Sequence, residues 1–200
     1  SGRLNQPEGI AWLAGDAPAD RIGGLIGDFV KGPLPGNLPP DIAAGVELHR
    51  RIDSFAETHP AFRASRARVS AERRRVAGIM VDLFYDHFMA IHWSRFHAVP
   101  LSAYVATLYR LLADEPSVPE RFLEFLPRMR EDDWLSGYRS VERIARALDR
   151  MAEHRLRRPN RLAGAGAELT AQYRGFESDF LAFAPAAARY AAVHRAARSG

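Results

Sequence analysis

The segment "VAGIMVDLFYDHFMAIHWSR", residues 76 to 95, constrains the fold more than any other. At about 100° per residue, Ile79, Val81, Leu83, Phe84, Phe88 and Ile91 fall on nearly every side of a helix, leaving little face for water. Such a helix has to lie at the centre of a bundle, covered by its neighbours. The neighbours are helical too, because apolar residues recur at intervals of three and four and no useful run alternates. The expected fold is therefore all-α: a single compact multi-helix domain over residues 1–200, with residues 1–12 irregular or altered. A chain of 200 residues with 47% hydrophobic content is large enough to bury such a core.

The punctuation supports this reading. "DRIGGLIGDFVKG" spaces Ile22, Leu25, Ile26 and Phe29 helically and stops at Gly32-Pro33. "PPDIAAGVELHRRIDSFAETHP" opens on prolines and ends before Pro60, as a helix should. A basic stretch follows, then the central helix, an amphipathic run after Pro100, and helical runs near 118 to 130, 138 to 154 and 166 to 196, with a break or kink at Pro185.

The chain has no cysteine, which excludes disulfides and thiolate sites and leaves His, Asp and Glu as the ligands available to a metal. The lack of cysteine fits a cytoplasmic protein, and no apolar run reaches the length of a membrane span, so no membrane partner is expected. Net charge is +4, and Lys31 is the only lysine among 28 basic residues. Such a surface favours an anionic partner, although arginine usage alone can also reflect genome composition. No nucleic-acid-binding motif accompanies the charge.

Polar residues at inward positions carry the chemistry. Ile42, Val46, His49 and Asp53 share one stripe, so His49 and Asp53 point inward and meet across one turn. Such a pair is either a neutralised structural contact or half of a metal site. Asp82 and Asp86 repeat the pattern on the central helix, with His87 and His92 projecting elsewhere. Two carboxylates in low dielectric need a cation or an arginine between them, so a buried Asp–Arg network is the structural alternative to a metal site. Asp28 lies off the apolar stripe of its helix, where Gly27 and Gly32 leave room for a neighbour or ligand.

"IGDFVKG" (26 to 32), "LHRRID" (48 to 53), "DLFYDHFMAIHW" (82 to 93) and "FESDFLAF" (176 to 183), in this order and spacing, resemble the acyl carrier protein phosphodiesterase family. The resemblance runs from about residue 13 onward. It implies a fold related to the HD-type metal phosphohydrolases and a divalent metal, manganese in the first place with iron or magnesium as alternatives. It also implies hydrolysis of holo-acyl carrier protein to the apo form and 4'-phosphopantetheine. Asp28 would be the essential residue, as metal ligand or water-orienting base, with His49, Asp53, Asp82, Asp86 and His87 completing the metal site. The family opens on an Asn-x-x-Ala-His segment, whereas this chain reads "LNQPEGIAWLAGD" and has no histidine before His49. If that histidine is a ligand in the family, this chain has lost it, which leaves open weaker metal binding, a substitute residue or inactivity.

Metal-assisted hydrolysis would lower the pKa of a water and polarise the phosphoryl oxygens. Arg50 and Lys31 are candidates to hold the substrate phosphate, and equally candidates for a solvated helix end. The basic stretch 63 to 75, with Arg63, Arg66, Arg68, Arg73, Arg74 and Arg75, offers a docking face for a small acidic carrier protein, although some of these must simply face water. "HRLRRPNR" (154 to 161) is a second basic patch. Two other readings stay open: a phosphohydrolase of nucleotides or small phosphate esters, and a non-catalytic arginine-rich binding module.

Overall fold

Pro40 begins the helix that organises the site. A proline in the first turn gives up an N–H that has no helical partner there, and Asp41 beside it accepts from the Ile42 amide at 2.8 Å. The helix runs Pro40–Thr58 and stops because Pro60 forces His59 into an extended conformation. His59 is then reused, its Nδ1 accepting from the Ala61 amide at 3.1 Å to cap the next helix.

A computed structural model describes residues 12, 13, 15–154 and 160–198. Among them are ten α-helices and no strand: α1 (Pro18–Ile26), α2 (Pro40–Thr58), α3 (Pro60–Arg68), α4 (Ala77–Ile91), α5 (Leu101–Asp114), α6 (Glu120–Glu131), α7 (Trp134–Gly137), α8 (Val141–His154), α9 (Gly166–Ala171) and α10 (Tyr173–Arg198). The all-α expectation holds. Short 3-10 turns over Gly27–Phe29, Ala71–Val76 and Trp93–Arg95 follow α1, precede α4 and follow α4. The helices share one hydrophobic core.

α4 is the centre of that core, as its all-round apolar sequence requires. Met80, Val81 and every residue from Leu83 to Ala90 are buried. α10 covers it with an aromatic ridge: Phe176 meets Phe84 at 5.0 Å and Phe180 meets Tyr85 at 5.4 Å, both edge to face. Pro185 does not break α10, which is helical throughout Tyr173–Arg198. The one amide lost there is offset by burial of Phe183, Ala184, Ala187 and Ala191 on either side.

α1 crosses α2 backbone to backbone. A Cβ on Gly23 would lie 2.6 Å from the Gly45 carbonyl carbon, and one on Gly45 would lie 2.6 Å from the Ala19 oxygen. Only glycine at both positions permits that approach. α1 also ends earlier than its sequence suggests, at Ile26, and tightens into the turn Gly27–Phe29 before Val30 extends away. That turn delivers Asp28 to the inner face of α2.

Candidate metal centre

Asp28, His49 and Asp53 converge. The stripe of α2 holding buried Ile42 and Val46 continues into His49 and Asp53, and the turn after α1 adds Asp28 from the facing side. His49 Nε2 lies 3.3 Å from Asp28 Oδ1 and 3.5 Å from Asp53 Oδ2. One donor atom from each of the three falls within 4.8 Å of the others. The imidazole is 2% exposed and the two carboxylates 7% and 14%, so the trio sits in a recess with its opening on the Asp53 side. Gly27 is what lets the ring in: a Cβ there would lie 2.4 Å from His49 Cδ2. Gly32 serves differently, since nothing among the described residues would come within 4 Å of a Cβ there and its φ of +81° makes the turn that follows.

α4 supplies the far wall. Asp86 is fully buried and accepts a 3.3 Å hydrogen bond from the indole Nε1 of Trp12 on one carboxylate oxygen. Its other oxygen, Oδ2, makes no hydrogen bond among the described residues. Burial pushes the Asp86 pKa well above the usual carboxylate value, repulsion from Asp82 and Asp28 adds to this, and the Trp12 bond pulls it back. Asp82 and Asp86 therefore share the electrostatic environment of the trio, with the half-buried Asp82 one turn nearer the surface.

His87 points away from this recess. Its Nδ1 is 2.9 Å from the Tyr138 carbonyl, which can only accept, so Nδ1 carries the proton. Nε2 then accepts from the Tyr173 hydroxyl at 2.7 Å. Burial lowers its pKa. The structure brings together Asp28, His49 and Asp53, leaves Asp86 within electrostatic reach of Asp28 with Asp82 one turn along α4, and does not bring His87 to them.

Lys31 and Arg50 serve the turn itself. Lys31 donates from Nζ to the Asp28 carbonyl at 3.3 Å, and Arg50 donates to the Val30 carbonyl at 3.2 Å. Both hold the segment that presents Asp28. Among the basic residues after α2, Arg63 is exposed and Arg66 pairs with Glu57 at 3.3 Å. Arg73 does not face outward as a docking residue would. It donates to Glu168 at 2.7 Å, to the Arg161 carbonyl at 2.7 Å and to the Ala163 carbonyl at 3.1 Å, which ties the 71–76 turn to the start of α9. Of the second basic patch, residues 155 to 159 lie outside the described residues.

Trp12 is the site residue that sequence reasoning missed. The one available signal was general: a buried indole N–H requires an acceptor. It comes from the segment where a family histidine is expected, of which residues 1–11 lie outside the described residues.

Three donors of this kind, hard carboxylate oxygens and an imidazole nitrogen, suit a divalent cation. The uncompensated Asp86 oxygen beside them fits an electropositive occupant. Fold and site together define an all-α protein with a carboxylate–imidazole–carboxylate centre able to hold a metal ion. The sequence model of the family "Acyl carrier protein phosphodiesterase" matches residues 11–187, and the chain belongs to that family. Proteins named acyl carrier protein phosphodiesterase from Escherichia coli O157:H7 and from Escherichia coli strain SE11 are each 34% identical to it over 175 residues, covering 86% of this chain and 90% of the relative. No solved structure matches the chain.

Proposed function

We propose that this protein hydrolyses the phosphodiester of holo-acyl carrier protein, releasing 4'-phosphopantetheine and the apo-protein, with a divalent cation, manganese first, held by Asp28, His49 and Asp53. The convergence of these three side chains in a chain of this family is the observation that carries the reading. A cation there would supply charge against the phosphoryl oxygens and a water of lowered pKa. The protein's own residues do the rest. Asp28 and Asp53 flank the imidazole and orient the attacking water, which bonds to phosphorus as the bond to the carrier protein's side-chain oxygen breaks, the proton given up by the water passing in net to that departing oxygen. Lys31 and Arg50 keep the Asp28 turn in place by holding its carbonyls. Asp82 and Asp86 complete the negative wall, and His87 packs the core behind it. The relation to HD-type phosphohydrolases belongs to this reading as the expected kinship of the fold. So does a cytoplasmic location, where the substrate would be met; no helix among the described residues is long and apolar enough to cross a membrane.

The test is release of 4'-phosphopantetheine from holo-acyl carrier protein, followed by mass spectrometry, for wild type and Asp28→Asn with added manganese. Asp28→Asn keeps the volume and loses the charge. It should cut turnover at least about a hundredfold with the melting temperature little changed, as expected of a site residue. A folded Asp28→Asn protein with wild-type turnover would remove Asp28 from the mechanism. A wild-type protein that hydrolyses nucleotides or small esters and leaves the carrier protein intact would replace the substrate.

A further inference from the structure

Two rows of side chains lead outward from the metal centre. On α2 the row is His49, Asp53 and Glu57, each four residues from the last; on α4 it is Asp86, Asp82 and Gly78. Residues at this spacing stand above one another on a helix. Exposure rises along the first row, from 2% at His49 through 14% at Asp53 to 48% at Glu57. The second row goes from fully buried Asp86 to half-buried Asp82 and Gly78. Both rows thus become more exposed toward Glu57 and Gly78, and a single residue of α3 stands at both ends. Arg66 donates to Glu57 at 3.3 Å, and its guanidinium carbon would lie 3.9 Å from a Cβ placed on Gly78.

We infer that Arg66, held ready by Glu57 at the mouth of the recess, is the specificity-determining contact for the acidic carrier protein, exchanging Glu57 for a carboxylate on the substrate protein's surface. The inference rests on the functional reading above. Eight residues of helix rise about 12 Å, so a phosphodiester seated on the trio leaves Arg66 roughly one to two turns away. That distance is too great for the reacting phosphate itself. It suits the protein surface from which the phosphopantetheine arm emerges. The neighbouring charges agree: Arg63 lies one turn back on α3 and is exposed, and Arg74, also exposed, donates to the Arg66 carbonyl at 3.5 Å. Glu57 is the internal competitor. It keeps the guanidinium aimed across the mouth and must be displaced for the carrier to bind, so it sets a cost that only a well-placed acidic partner offsets.

The experiment compares kcat/KM on holo-acyl carrier protein with kcat/KM on bis(p-nitrophenyl) phosphate, using full-length protein with manganese. Arg66→Ala should lower that ratio about tenfold, through a higher KM for the carrier, and flatten its dependence on salt. Arg66→Lys should recover part of the loss. Glu57→Gln should raise the ratio about threefold, because it removes the competitor without removing the cation. Equal losses on both substrates would place Arg66 in the catalytic centre or the fold and overturn the inference, as would an unchanged ratio in Arg66→Ala and Glu57→Gln. Failure of the functional reading shows separately, before any variant is made: the wild type would cleave the small diester and leave the carrier protein intact, and the inference would fall with it.

Discussion

Two of the regions of this molecule that bury carboxylates treat them in opposite ways. Along the seam of α3 and the 71–76 turn with α9 and α10, each one meets arginine: Asp179 accepts from Arg68 at 2.8 Å and from Ser65 at 2.8 Å, and Glu168 accepts from Arg73 and Ser70. Burial alone would raise the Glu168 pKa, but the bonds from Ser70 and Arg73 outweigh it and the net shift is downward. In the recess between α2 and α4, Asp28 and Asp53 face an imidazole and Asp86 faces an indole, and the Asp86 pKa is driven upward. A carboxylate that serves the fold here meets a guanidinium, whereas Asp86 is left short of positive charge. The chain has 28 basic residues, so this follows from placement rather than from supply.

The largest effect that separates the regions should come from the seam. Arg73→Ala strands Glu168 partly buried and releases two carbonyls of residues 161 and 163, so it should cost about 2–4 kcal/mol in urea unfolding. Its response to added manganese should stay that of the wild type. Arg63→Ala, on the exposed face of α3, should stay within about 0.5 kcal/mol. Equal costs at the two positions would erase the distinction between seam and surface.

The recess should show the converse, a stability that depends on the cation. Manganese at about a hundred times its dissociation constant should stabilise the wild type by roughly 2.7 kcal/mol, and a chelator should reverse the gain. His49→Ala and Asp53→Asn should abolish the response while remaining folded. A melting temperature indifferent to manganese in the wild type would make the trio a structural contact like those of the seam.

How much of this the sequence revealed depends on local periodicity. α2 was legible almost to the residue, because Pro40 and Pro60 fix its ends and its apolar stripe gives it an inside, so His49 and Asp53 point as their spacing says. α4 was legible as a buried helix, but one that is apolar all round has no inside to read. Its periodicity could therefore not show that Asp86 turns toward the trio while the adjacent His87 turns toward Tyr138 and Tyr173. Arg73 turns inward for a related reason: "AERRRV" forms a 3-10 turn, whose period of three residues directs side chains differently from an α-helix. The position of Asp28 depends on a tertiary contact, the entry of His49 against Gly27, for which the sequence shows only the glycine. Trp12 binds Asp86 across 74 residues of chain, and no local pattern records such a contact.

The smallest predicted effect has the most telling sign. In the metal-free protein, Asp86 takes up its proton more readily when folded than when unfolded, because burial and Asp82 raise its pKa. As pH rises above the ordinary carboxylate value near 4, the unfolded chain gains by ionising Asp86 while the folded chain resists, so stability falls until the folded-state pKa is passed. Asp86→Asn removes that loss. Its amide oxygen can still accept from Trp12, and its nitrogen can donate toward the surrounding carboxylates. With a chelator present at pH 7.5, Asp86→Asn should therefore be more stable than wild type by about 1–2 kcal/mol, and at pH 4 the two should be nearly equal. Asp179→Asn in the seam should go the other way and lose stability at pH 7.5, since Arg68 would face a neutral amide. Adding manganese should narrow the advantage of Asp86→Asn, because the cation relieves in the wild type the strain that the substitution removes. Urea unfolding of the three proteins at both pH values checks the signs, and a loss of stability in Asp86→Asn at pH 7.5 without metal would show that the recess holds its carboxylates as the seam does.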